Sequence, residues 1–167
     1  HLDIGVGTGY YLKKLHWQAG SKLSLMDLNK NSLLKTSETI KPVQAYQAIQ
    51  ADIFKPQTNH QAEFDSISMN YLLHCLPGNL EDKSDAIKNA VEMLKPNGTL
   101  FGATIIGDER YHHLISNHVQ RFYQRKGIFS NQNDNMDQLE HILNIYLENV
   151  SIKRYGAVVL FSGQRKQ

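Results

Sequence analysis

Apolar and polar positions along this chain switch repeatedly between a period of two and a period near 3.6. Residues 1–4 are a short stretch that runs into the glycine turn Gly5-Val6-Gly7-Thr8-Gly9 and reads as a strand. Tyr11, Leu12, Leu15 and Ala19 then recur at helical spacing, predicting a helix over residues 10–19 that Gly20 ends. Residues 22–27 alternate Leu23, Leu25 and Asp27 against Lys22, Ser24 and Met26, as a strand does. Asn29 suits the N-cap of a helix reaching about Thr39, and Pro42 stops it. A third strand is expected over 43–49, and the connection through Asp52 and Pro56 leaves room for at most a short helix.

The second half repeats the alternation. Residues 64–69 read as a buried strand, and Pro77-Gly78 breaks the chain. Leu80, Ile87, Val91 and Leu94 mark an amphipathic helix over 80–94. The turn Pro96-Asn97-Gly98 leads into an apolar strand over 99–106. Helices are expected over 109–126 and 136–147, separated by a polar loop. Two last strands, 150–155 and 157–162, flank Gly156 as a hairpin. Strands that alternate with helices build a parallel sheet covered on both faces, whereas strands joined by one glycine must pair antiparallel. The expected fold is therefore α/β: a doubly wound, mostly parallel seven-stranded sheet closed by a C-terminal antiparallel hairpin. Ligands of such sheets bind at the carboxyl ends of the strands, where strand order reverses.

Composition sharpens this only slightly. The 167 residues suit one domain, 1–167, and 41% hydrophobic with 20% charged residues excludes disordered and collagen-like classes. A net charge of +2 gives no argument for a nucleic-acid partner or an anionic membrane, and Lys153, Arg154, Arg165 and Lys166 read as a solvated face. No apolar run has the length of a membrane span. The one cysteine, Cys75, forms no intrachain disulfide, fits a cytoplasmic location, and reads as a small buried apolar residue.

The chemistry gathers around the first glycine turn. Gly5 and Gly7 let the backbone bend sharply and let a ligand approach the main chain, and a helix starting behind them would aim N–H groups at a carboxylate or phosphate. A dinucleotide fingerprint needs a further small residue where Tyr10 stands, which lowers an NAD(P)-dependent oxidoreductase reading. Asp27, at the end of the second strand, suits the two hydroxyls of a ribose, with a helix-capping role as the alternative.

Leu2-Asp3-Ile4-Gly5-Val6-Gly7-Thr8-Gly9 resembles the cofactor loop of class I S-adenosylmethionine-dependent methyltransferases, a Rossmann-like family. The stretches Gln50-Ala51-Asp52-Ile53-Phe54, 64–76 and Leu94-Lys95-Pro96-Asn97-Gly98-Thr99-Leu100 are similar to later motifs of its small-molecule members. The resemblance implies S-adenosyl-L-methionine as cofactor, with contacts from Asp3, Gly5, Val6, Gly7, Gly9, Asp27, Leu28, Asp52, Ile53 and Asn70. It implies Asp52 on the adenine amino group, Ile53 against the ring and Asn70 beside the cofactor's amino group. Transfer to an oxygen, nitrogen or carbon of a small molecule is the implied reaction, with no metal. A non-catalytic S-adenosylmethionine-binding protein is the alternative.

Asn70 lacks the Pro-Pro continuation of many nitrogen methylases of bases, and Cys75 lacks the context of a carbon-5 cytosine nucleophile. His74 is the candidate general base, beside the alternative of a hydrogen-bonded structural histidine. Residues 107–135 are the candidate acceptor segment, with His112, His113, His118, Tyr111, Phe122 and Tyr123 on it. The chain opens at His1, inside a strand, and the resemblance implies a helical lid ahead of it. A homodimer is an allowed assembly.

Overall fold

The computed structural model describes residues 1–40, 46–107 and 129–167. Seven strands form one sheet in the order β3-β2-β1-β4-β5-β7-β6. They are β1 Leu2–Ile4, β2 Leu23–Asp27, β3 Tyr46–Gln50, β4 Phe64–Asn70, β5 Leu94–Ile105, β6 Leu147–Tyr155 and β7 Val158–Arg165. The first five run parallel, and β7 lies antiparallel between β5 and β6. This is the doubly wound sheet with a closing hairpin that the alternation of periods predicts. Gly156, at φ +61°, makes the hairpin turn. Residues 43–45 of the expected third strand lie outside the described residues, as do Pro42 and the expected helix over 109–126.

Three α-helices are described: α1 Lys30–Ile40, α2 Ser84–Met93 and α3 Met136–Tyr146. Leu25 packs with Leu33 and Ile40 of α1 in a small cluster, whereas its neighbour Met26 belongs to the main core with Ile87, Ala90, Leu139 and Leu143. Successive strand residues point to opposite faces, so α1 covers one face and α2 with α3 the other. Both faces of β2 are covered, which explains why it is buried at Leu23, Ser24, Leu25 and Met26 alike. Asn135 caps α3, its side chain accepting the Gln138 N–H at 2.9 Å.

One predicted helix is absent. Residues 10–19 form only a 3-10 turn at Leu12–Lys14. Of the four apolar positions that suggested a helix, Leu12 alone is buried, while Tyr11 and Leu15 stay exposed. A segment this short needs a buried stripe to hold it helical, and one side chain is too little. Helix α2 also starts later than its apolar spacing suggests, because Asn79 and Asp82 first exchange side chain-to-backbone bonds of 2.9 and 3.1 Å. Of the four late basic residues, Arg165 is half-buried and departs from the solvated face, while Lys166 stays exposed. Arg165 donates to the carbonyls of Glu92 and Leu94 at the end of α2, and Lys166 to those of Asn144 and Ile145 at the end of α3. Among the described residues no helix is long and apolar enough to cross a membrane.

Candidate functional site

The carboxyl ends of β1, β2, β3 and β4 sit side by side, and strand order reverses at β1, whose neighbours are β2 and β4. The residues singled out in the sequence fall on these ends. The turn after β1 bends through positive φ at Gly5 (+75°) and Gly7 (+54°). A Cβ on Gly5 would crowd the Leu72 side chain at 2.7 Å and its left-handed backbone favours glycine; a Cβ on Gly7 would meet nothing within 4 Å. Gly7 therefore leaves main chain open to a ligand. The turn is held in place by backbone bonds, Gly5 N–H to Met26 O at 2.8 Å and Gly9 N–H to Val6 O at 3.0 Å. Thr36 of α1 is fully buried and donates towards Gly7 O at 3.2 Å and Val6 O at 3.4 Å. Its role in bracing the turn is invisible in sequence, since it lies a whole strand and half a helix away. With only a 3-10 turn behind it, the loop offers an anion its main-chain N–H groups without the dipole of a following α-helix.

Asp3, on the middle of β1, is buried on the face opposite Leu2 and Ile4 and accepts a hydrogen bond from the Ser68 hydroxyl. Burial pushes its carboxyl up to about 6, against the lowering effect of the Ser68 bond and with a further push from the Asp27 charge. His1 completes the row, with Nδ1 2.8 Å from Ser66 Oγ and Nε2 3.1 Å from Ser68 Oγ.

Asp27 ends β2, and its Oδ1 accepts the Asn29 N–H at 2.8 Å. That bond orders the turn into α1, in line with the capping alternative. Leu28 is 65% exposed beside it. Asp52 does the same after β3, its Oδ1 accepting the Phe54 N–H at 3.0 Å. Ile53 is buried in the main core, and Asn89 of α2 donates to its carbonyl at 2.8 Å. Asn70 ends β4 half-buried, and Tyr71 follows at φ +57° with its N–H on Ala103 O at 2.7 Å.

His74 lies on the 3-10 turn Leu73–Cys75 and is 3% exposed. The Ile105 N–H donates to its Nδ1 at 3.3 Å, and Thr104 Oγ1 lies 3.4 Å from the same nitrogen. Burial, with the Lys83 charge adding to it, brings its pKa down to about 4, so the ring is neutral with its proton on Nε2. The same turn faces Cys75 outward, correcting the expectation of a buried thiol: Leu73 and His74 take the inner positions of a tight turn that has no third inward place. Of the 107–135 segment, only 107 and 129–135 are described. His112, His113, His118, Tyr111, Phe122 and Tyr123 lie outside the described residues.

A sheet of this order, with a glycine turn after β1 and acids at the end of β2 and after β3, defines a Rossmann-like α/β domain. Residues 2–100 match the family model described as a methyltransferase domain, which covers more than half of the chain. YbcY of Escherichia coli (strain K12) is 48% identical over 168 residues, covering 100% of this chain and 86% of that protein. The demethylluteothin O-methyltransferase of Streptomyces thioluteus is 33% identical over 159 residues, 95% of this chain and 69% of that enzyme. The N-methyltransferase NodS of Bradyrhizobium japonicum WM9, solved with S-adenosyl-L-homocysteine, superposes with a TM-score of 0.70 at 19% identity, over 99% of this chain and 77% of that one. In another solved match the chain spans only 48% of the partner's length. The chain belongs to the class I S-adenosylmethionine-dependent methyltransferase family, and this membership displaces the nicotinamide oxidoreductase reading.

Proposed function

We propose that this domain moves a methyl group from S-adenosyl-L-methionine to an oxygen, nitrogen or carbon of a small molecule by in-line displacement. The observation that carries the reading is the gathering of the open Gly7 backbone, Asp27, Asp52 and Asn70 at adjacent strand ends of one sheet. The named relatives include an O-methyltransferase and an N-methyltransferase, so the receiving atom follows the acceptor rather than the fold.

The bound cofactor supplies a methyl group already activated on a sulfonium. The protein's part is placement. The Gly5–Gly9 main chain takes the carboxylate of the methionine portion, and Asp3 with Asn70 takes its ammonium. Asp27 Oδ2 accepts from the ribose hydroxyls while Oδ1 stays on Asn29. Asp52 receives the adenine amino group, and the ring is covered by exposed Leu28 more than by Ile53, which the core already holds. In-line attack demands alignment and exclusion of water more than it demands a base. His74 accordingly acts as a neutral hydrogen-bond donor through Nε2, because its Nδ1 is engaged by Ile105 and a neutral ring cannot accept on the nitrogen that bears the proton. Residues 107–135 remain the candidate acceptor segment by family resemblance. The exposed Cys75 thiol suits a reducing cytoplasm.

Incubation with methyl-tritiated S-adenosyl-L-methionine and a panel of phenols and amines tests the proposal. Label should pass to a small-molecule product and fall sharply in Asp27→Ala. Cofactor binding without transfer to any member of a broad panel would favour the non-catalytic alternative.

A further inference from the structure

Three tyrosines stand at the surface beside the glycine turn and the end of β4. Tyr10 is 57% exposed, Tyr11 48% and Tyr71 36%. Tyr10 meets Tyr11 edge to face at 5.3 Å between centroids, and the rings of Tyr11 and Tyr71 lie within 6° of parallel at 5.9 Å. The row continues inward, Tyr71 to His74 at 6.0 Å and His74 to Phe129 at 4.7 Å, both edge-on. It runs from solvent to the buried imidazole.

Two observations separate this row from an idle surface. Tyr71 holds a left-handed backbone at φ +57°, uncommon for any residue but glycine, fixed by its N–H on Ala103 O. That conformation follows directly on Asn70, so the chain accepts strain at the strand end where a ligand would lie. Lys14 Nζ sits 4.1 Å from the Tyr10 centroid and 2.6 Å from its hydroxyl, which leaves Tyr11 and Tyr71 as the ring pair inside that cover. The Tyr11 hydroxyl is held above its ordinary value by partial burial and by Tyr71, so it stays a neutral hydrogen-bonding group. Paired aromatic faces reward a flat partner by offset stacking, and exposed apolar patches mark binding sites.

We propose that Tyr11 and Tyr71 form the recognition surface for the methyl acceptor, and that the acceptor is a flat, conjugated ring system. The inference rests on the methyltransferase reading and adds to it the substrate class.

The test is calorimetry on the protein saturated with S-adenosyl-L-homocysteine, using 2-naphthol and its saturated counterpart decahydro-2-naphthol as probes. The flat probe should bind about tenfold more tightly or better. Tyr11→Leu and Tyr71→Leu should each bring the two probes to within about threefold of one another, with S-adenosyl-L-homocysteine affinity within about twofold of wild type. Tyr11→Phe, which keeps the ring, should preserve the preference. Equal binding of the two probes by the wild-type protein overturns the proposal. Parallel loss of probe and S-adenosyl-L-homocysteine in the leucine variants also overturns it, by assigning the rings to the cofactor pocket. Absence of S-adenosyl-L-homocysteine binding in the wild type would contradict the cofactor reading instead, and the two probes compared without it then decide the aromatic surface on its own.

Discussion

Asp3 is a carboxyl group shut away from water in the middle of a sheet, and its proton is correspondingly hard to remove. Its ordinary value of 3.8 rises to about 6 in the folded protein. The folded state therefore binds the proton more tightly than the unfolded chain, and the stability this contributes is complete below about pH 4 and lost as pH climbs through 6. Asp3→Asn keeps an oxygen for Ser68 and removes the buried charge. It should raise the unfolding free energy at pH 8 by about 1–3 kcal/mol and have little effect below pH 4, as urea melts at both pH values would record. The same variant should bind S-adenosyl-L-homocysteine more weakly at pH 8, since a cofactor ammonium prefers the ionised acid. Wild-type affinity should climb between about pH 5 and 7, and that climb should flatten in the variant. A pH-independent wild type would remove Asp3 from the site. Asp27 permits a cleaner dissection, because Oδ1 holds the Asn29 N–H and the proposed role in binding the ribose falls to Oδ2. Asp27→Ala should lose about 1–3 kcal/mol of cofactor binding, together with a small loss of stability from the freed Asn29 N–H. Asp27→Asn should restore the stability and only part of the affinity.

Between elements, the contact with most at stake is the ion pair joining the start of α2 to the loop ahead of α3. Lys83 is fully buried, with Nζ 2.6 Å from both Asp134 Oδ2 and the Ser130 carbonyl. The Asp134 backbone in turn accepts the Gly107 N–H at 2.9 Å, and the Ser130 N–H reaches His74 O at 2.8 Å. The pair thus ties the start of α2 to the segment 130–134, which also holds Gly107 and His74 through backbone bonds. Lys83→Met would strand a buried carboxylate and should cost about 3–5 kcal/mol, whereas the double change Lys83→Met, Asp134→Leu should recover much of that loss in denaturant melts. A single variant as stable as wild type would show the pair to be solvated. None of this was legible in the sequence, because 51 residues separate Lys83 from Asp134. The order of the strands, the hairpin at Gly156 and the start of α3 were legible, since Gly156 and the Asn135 cap act locally; the starts of β5 and β6 were not, because Leu94 and Leu147 pass straight from helix to strand and the expected turn Pro96-Asn97-Gly98 lies within β5. The segment over 10–19 was misread because periodicity records where apolar residues fall, not whether anything is there to bury them. Cys75 was misplaced for a related reason: a three-residue turn assigns inside and outside by tertiary packing alone.

At the scale of the whole molecule, the site is a property of the sheet. Asp3, the glycine turn, Asp27, Asp52 and Asn70 are spread over most of the first half of the chain, and only the order β3-β2-β1-β4 lines them along one edge. Their positions were readable from sequence because each lies on a strand or in the turn that follows one. The partners that hold them, Ser68 for Asp3 and Thr36 for the turn, were not, since they arrive from other elements. The central claim is that this edge binds an adenosyl amino acid rather than a dinucleotide. A calorimetric titration of the folded protein with S-adenosyl-L-homocysteine, repeated with NAD, tests it most directly. The account predicts one equivalent of S-adenosyl-L-homocysteine bound, a thermal stabilisation worth about 2.7 kcal/mol at a hundredfold excess over Kd, and no heat from NAD. Binding of NAD without S-adenosyl-L-homocysteine would contradict it.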